Sequence, residues 1–214
     1  MDILKWLENW FFKNCNGEWE KKKRLVIETI DNPGWGFTLQ LEDSVYENLS
    51  LKKIIIDRTE DNWCHCLVRK NEFIIAGGPF NLTEIFNNFK CGLEKKGEAC
   101  QQKLFLNSEI VDWMQKWYYQ YCDEDWEHSE RFIIKTAEYP GWYFSMLFEG
   151  THCEGKVFDP IEIKKSEHDW YHCYLKKGRC EEEDKFEGRG GPLNLIDILN
   201  VFREWAEKCQ KGKI

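Results

Sequence analysis

The fold is decided by residues 24–41, RLVIETIDNPGWGFTLQL, and by their repeat at residues 131–148, RFIIKTAEYPGWYFSMLF. In each stretch a β-branched run leads through Pro-Gly-Trp into a second run of alternating character, the pattern of two strands joined by a tight turn. Proline fixes φ near about −65° and glycine accepts positive φ, so Pro33-Gly34 and Pro140-Gly141 are expected at the centre of type II turns. The repetition runs on in both directions. Upstream, Trp6, Trp10, Cys15, Trp19 and Glu20 return as Trp113, Trp117, Cys122, Trp126 and Glu127. Downstream, Trp63, His65 and Cys66 return as Trp170, His172 and Cys173, still at an offset of 107. The offset reaches 113 at Gly77-Gly78-Pro79 and Gly190-Gly191-Pro192, which places a six-residue insertion in the second copy around Lys177 to Asp184.

So long a period is not that of a stacking repeat, which is about 20 to 50 residues. Two units of one design, residues 1–92 and 108–214, joined by a linker over 93–107, are expected, each near the common domain size. Each unit opens with an amphipathic helix, from Ile3, Leu7, Trp10 and Phe11 in the first copy and Ile110, Met114, Trp117 and Tyr121 in the second. After the Pro-Gly-Trp hairpin come strands at KKIIID, WCHCLVR and EFIIA, matched by PIEIKK, WYHCYLKK and KFEGR. Each copy ends with Gly-Gly-Pro and a helix, whose start is marked by Asn81 with Glu84 or Asn194 with Asp197 as N-cap and acidic partner. The fold class is therefore α+β, each unit an N-terminal helix, about five mostly antiparallel strands and a C-terminal helix, with the helices covering one sheet face.

The formal charge is −8 over 214 residues, and it divides as −2 for residues 1–92, +1 for 93–107 and −7 for 108–214. An acidic second unit repels a phosphate backbone and attracts a basic partner, which argues against nucleic acid. No apolar run approaches the roughly 18 residues of a membrane span. The opening MDILKWLENWFFKN lacks the basic start and cleavage site of a secretory leader, so a cytoplasmic location is expected, with the ten cysteines as thiols.

The order of W-x3-W, Cys-x3-Trp-Glu, a strand, Pro-Gly-Trp, Trp-x-His-Cys and a closing Gly-Gly-Pro helix resembles the immunity protein 53 family of bacterial polymorphic toxin systems. The second copy is the closer match, with CDEDWEH from Cys122 to His128, the YPGW turn and HDWYHC from His168 to Cys173 in sequence; the first has Lys21 where the second has His128. The resemblance implies a tandem antitoxin that protects its cell by binding and blocking a cognate toxin domain.

Ten of the eleven tryptophans pair between copies, as expected for core residues of a shared fold. The residues expected to contact a partner are Trp19 with Glu20 and Trp126 with Glu127, in loops after each first helix, the carboxylates Asp123, Glu124 and Asp125, and the turn indoles Trp35 and Trp142. The run Glu181, Glu182, Glu183 and Asp184 adds to the acidity. Cys64-His65-Cys66 and His172-Cys173 invite a metal or thiol chemistry, but zinc needs four suitably spaced ligands and neighbouring strand residues face opposite ways. No catalytic residue, metal or cofactor is expected. Toxin neutralisation leads; a carbohydrate-binding module with exposed indoles is the second reading, and a thiol or metal enzyme the third.

Overall fold

The computed structural model describes residues 2–21, 25–94, 106–128, 131–137, 139–178 and 184–212. The expected linker lies largely outside the described residues, as do Glu181, Glu182 and Glu183.

The Asp2 carboxylate accepts the N–H groups of Leu4 (2.8 Å) and Lys5 (3.3 Å), capping α1, Ile3–Asn14, whose Ile3, Leu7, Trp10 and Phe11 stripe is buried. There follow β1 (Leu25–Ile30), β2 (Gly34–Gln40), β3 (Ile54–Thr59), β4 (Asn62–Arg69), β5 (Glu72–Gly77) and α2 (Leu82–Glu94). The second copy repeats the order with α3 (Glu109–Tyr119), β6 (Phe132–Thr136), β7 (Trp142–Leu147), β8 (Ile161–Lys164), β9 (Trp170–Lys176), β10 (Lys185–Gly190) and α4 (Leu195–Gln210). The ten strands form one antiparallel sheet in the order β3-β4-β5-β2-β1-β6-β7-β10-β9-β8, so the two units expected from the repeat join edge to edge at β1 and β6.

Alternation decides which residues face the helices. The cross-strand partners Cys66, Ile75, Phe37, Ile27, Ile134, Phe144, Gly188 and Cys173 form one row of buried positions crossing both copies. Onto it α2 and α4 pack equivalent phenylalanines. Phe89 meets Trp10, Phe37 and Phe73 at ring separations of 5.0, 4.5 and 5.6 Å. Phe202 meets their counterparts Trp117, Phe144 and Phe186 at 5.4, 5.3 and 5.3 Å.

The seam has the register of a two-fold axis: Ile27 lies opposite its own counterpart Ile134, Val26 opposite Lys135 and Glu28 opposite Ile133. Both ends are finished by side chains. The Thr29 hydroxyl accepts the N–H groups of Arg131 (2.9 Å) and Phe132 (3.3 Å), and the Thr136 hydroxyl accepts that of Leu25 (3.2 Å). Each first helix also reaches the other copy. Phe11 packs on Trp142 (4.8 Å) and its counterpart Tyr118 on Trp35 (5.3 Å).

Two local expectations are corrected. Neither Gly34 nor Gly141 has positive φ, so neither turn is type II; Ile30 pairs with Gly34, leaving Asp31, Asn32 and Pro33 as the connection. Glycine is required there by closeness: a Cβ would stand 2.4 Å from the Gly77 carbonyl oxygen at Gly34 and 2.3 Å from that of Gly190 at Gly141. Asn194 stands at the N-cap position and both asparagines meet their acidic partners, but neither side chain accepts a helix N–H. Asn81 donates to Glu84 (2.8 Å) and Asn62 (3.0 Å), and Asn194 to Asp197 (2.8 Å) and Asp169 (3.0 Å), which ties each helix start to a strand turn. Caps come from the opposite copy instead, Gln115 accepting from Leu82 N–H (2.7 Å) and Glu8 from Ile196 N–H (2.9 Å). The all-thiol expectation is corrected at Cys91, which is disulfide-bonded; Cys15, Cys64, Cys66, Cys122, Cys153, Cys173 and Cys209 are free thiols.

Candidate interaction surface

Most of the residues expected to meet a partner lie inside the fold. Trp35 and Trp142 are 0% exposed, and their indole N–H groups donate to the carbonyls of Pro79 (3.0 Å) and Pro192 (2.8 Å). The Pro-Gly-Trp and Gly-Gly-Pro motifs are thus two halves of one lock, present once per copy. Trp19 and Trp126 are also buried, at 3% and 8%, with the Trp126 indole donating to the Glu149 carbonyl (2.7 Å) and lying under the Arg131 guanidinium at 4.7 Å.

The glutamates beside them face inward too. Glu20 accepts the N–H groups of Asn16 (2.9 Å) and Gly17 (2.7 Å), and Glu127 those of Asp123 (2.9 Å) and Glu124 (3.0 Å). Burial pushes the Glu20 carboxyl up, but backbone N–H donors outweigh it and hold the group below its ordinary value. Trp19, Glu20, Trp35, Trp126, Glu127 and Trp142 are therefore corrected from surface contacts to parts of the scaffold, because a buried side chain cannot meet a partner without opening the fold.

Asp123, Glu124 and Asp125 are exposed. Asp123 turns its carboxylate back to accept from Trp126 N–H (2.9 Å) and Asp125 N–H (3.2 Å), which lowers its pKa. Glu124 sits at φ 78°, where the first copy has Gly17 at φ 91°. A left-handed glutamate in place of glycine keeps an outward carboxylate at some cost in backbone energy. Just past this loop, exposed His128 contacts Asp31 of the other copy (2.5 Å), and that contact raises the histidine pKa. Lys21 occupies the equivalent place in the first copy.

Cys64 and Cys66 face the core while His65 faces outward and contacts Asp57 (2.6 Å). Burial pushes the Cys64 and Cys173 thiols up to about 12, which leaves them protonated and poor as nucleophiles or ligands at neutral pH.

The residues that sequence reasoning missed stand on the sheet face turned away from the helices. In the second copy that face carries Lys135, Tyr143, Tyr174, Lys176, Lys185 and Arg189 around Glu187, which is 2% exposed. Glu187 accepts from the hydroxyls of Tyr143 (3.0 Å) and Tyr174 (2.7 Å), with Lys185, Lys176 and Arg189 at 3.4, 3.6 and 3.7 Å. Burial raises its pKa, yet those hydroxyls and the ammonium groups of Lys176 and Lys185 prevail and the carboxyl lies below its ordinary value. The signal for these positions was the alternation in WYFSML and KFEGRG, whose outward residues differ from those of the first copy.

A sequence model of immunity protein 53 matches residues 4–94 and, a second time, residues 111–207. The chain belongs to the immunity protein 53 family. Its two copies are the two halves of the sheet, and the locks, caps and threonine bonds at the seam lie within the matched segments or on their borders. No curated protein and no solved structure matches the chain. Among the described residues, no helix of this immunity protein is long and apolar enough to cross a membrane.

Proposed function

We propose that this chain is a cytoplasmic antitoxin that neutralises a cognate toxin domain of a bacterial polymorphic toxin system by stoichiometric binding, without catalysis. The observation that carries the reading is the double match to immunity protein 53. The burial of the thiols supports a binding role, since their raised pKa values disfavour nucleophilic chemistry. A net charge of −8, with the exposed carboxylates Asp123, Glu124 and Asp125, supports a basic toxin domain steered in from a distance. Burial of Trp10, Trp19, Trp35, Trp117, Trp126 and Trp142 weakens the carbohydrate reading, which relied on exposed rings, and leaves only the half-buried pairs Trp6 with Trp113 and Trp63 with Trp170 to serve it.

Co-expression with the toxin domain encoded beside it tests the proposal. Rescue of growth together with co-purification in fixed stoichiometry is expected, with an association rate that falls as salt is raised. Absence of both binding and rescue against every neighbouring toxin domain would defeat it.

A further inference from the structure

Resting on the toxin-binding reading, we infer that the outer sheet face of the second copy docks an acidic segment of the partner protein. The duplication supplies an internal comparison. Positions turned to the helices match between copies, as Ile27 with Ile134, Phe37 with Phe144 and Phe73 with Phe186. Most positions turned outward around Glu187 do not: Glu28, Gly36, Leu67, Glu72, Ile74 and Ala76 become Lys135, Tyr143, Tyr174, Lys185, Glu187 and Arg189, while Arg69 keeps its charge as Lys176 and His65 is kept as His172. One sheet is built with either set, so folding does not demand the second.

What the second set creates is a preorganised cationic and aromatic surface. Glu187 is spent internally, accepting from two tyrosines and drawing in three cations. The Tyr143 ring lies between Lys135 at 4.6 Å and Arg189 at 5.5 Å. Tyrosine and arginine held rigidly at the centre of a patch are the usual energetic core of a protein interface. Three cations around one carboxylate call for an occupant bearing carboxylates. Glu28 and Glu162 stand on the same face at its two margins and confine that occupant to the middle. A nucleic acid fits worse, because a polyanion extending past the patch meets the field of a chain with net charge −8, whereas a short segment senses only charges within about 8 Å. A toxin that is basic overall can carry such a segment, since net charge governs encounter and local charge governs docking.

The test uses the full chain, a fluorescent peptide rich in Asp and Glu, an unlabelled single-stranded oligonucleotide, and the neighbouring toxin domain. Two variants, Lys185→Gln with Arg189→Gln, and Lys135→Gln alone, are compared with Lys116→Gln on α3; a thermal melt establishes that each is folded. Expected are saturable peptide binding by the wild type, binding weaker by about tenfold in the double variant and measurably weaker in Lys135→Gln, no change in Lys116→Gln, and reduced rescue by the double variant. No peptide binding, binding as tight as the wild type's by both face variants, or stronger displacement by the oligonucleotide than by unlabelled peptide would overturn the inference. Full rescue by both variants would overturn it while leaving the antitoxin reading intact. Failure of the wild type to rescue, with peptide binding retained, would instead remove the antitoxin reading and leave the face as a site for acidic segments.

Discussion

Glu8 and Gln115 do the same work with different chemistry. Each accepts a backbone N–H at the start of the other copy's last helix, at 2.9 and 2.7 Å, from a fully or almost fully buried position. Burial raises the Glu8 pKa above its ordinary 4.5 despite the Ile196 N–H and the Lys5 ammonium at 2.8 Å. A carboxyl whose folded pKa is raised is harmless below the unfolded value, where both states are protonated. Its destabilising effect grows as pH rises above that value, because the unfolded chain then ionises more readily than the folded one. Glu8→Gln, which copies the second unit, is therefore expected to raise stability at pH 7 by on the order of 1 kcal/mol, with the gain fading below the ordinary value of 4.5. Urea unfolding of both proteins at pH 4 and pH 7 checks it; a larger gain at pH 4 would show that the carboxylate is stabilised in place.

The seam between β1 and β6 is short, and its two threonines finish what the strands leave open. Thr29→Val and Thr136→Val keep the shape but orphan the buried N–H groups of Arg131 and Phe132, or of Leu25, at an expected cost of about 1–3 kcal/mol each. Thr38→Val on the outer face is expected to cost within about 0.5 kcal/mol, and the two seam losses are expected to add, since they lie at opposite ends of the ladder. Denaturant midpoints of the single and double variants decide this, and a seam variant as mild as Thr38→Val would mean water replaces the hydroxyl. At the scale of elements the sequence was a good guide. Among the described residues, alternation and helical stripes located the four α-helices and the ten strands, because those patterns record burial residue by residue, but not the short 3-10 turns at Trp19–Lys21 and Trp126–His128, where the sequence predicts loops. It misled where motif residues answer to distant partners. Gly34 is shaped by the Gly77 carbonyl, Trp35 by that of Pro79, and the starts of α2 and α4 by residues of the opposite copy. The identity of Thr29 with Thr136 was visible in the repeat, but nothing local says that each hydroxyl serves the other copy's strand.

At the scale of the molecule, the edge-to-edge join makes each half incomplete. Residues 1–94 alone would expose the β1 edge, from Leu25 to Ile30, and strip Trp35 of Tyr118 and Phe132, which stand 5.3 and 5.5 Å away. Residues 106–214 alone would expose β6 and strip Trp142 of Phe11. An unpaired strand edge beside an uncovered tryptophan seeks a partner, and the symmetric register about Ile27 and Ile134 lets either half pair with itself. The outward residues discriminate between the choices. In the native seam Glu28 and Lys135 lie diagonally across Ile27 and Ile134, so opposite charges flank the axis. A first-half dimer places two copies of Glu28 there, and a second-half dimer two copies of Lys135, a like-charge pair in either case. Each half alone is therefore expected to form dimers that dissociate at micromolar concentration, and the two mixed are expected to form a tighter one-to-one complex. Light scattering on each half and on the mixture measures this. Glu28→Lys in the first half should weaken the mixed complex, whereas a folded monomer from either half alone would show that each copy closes its own core and that the shared seam is dispensable.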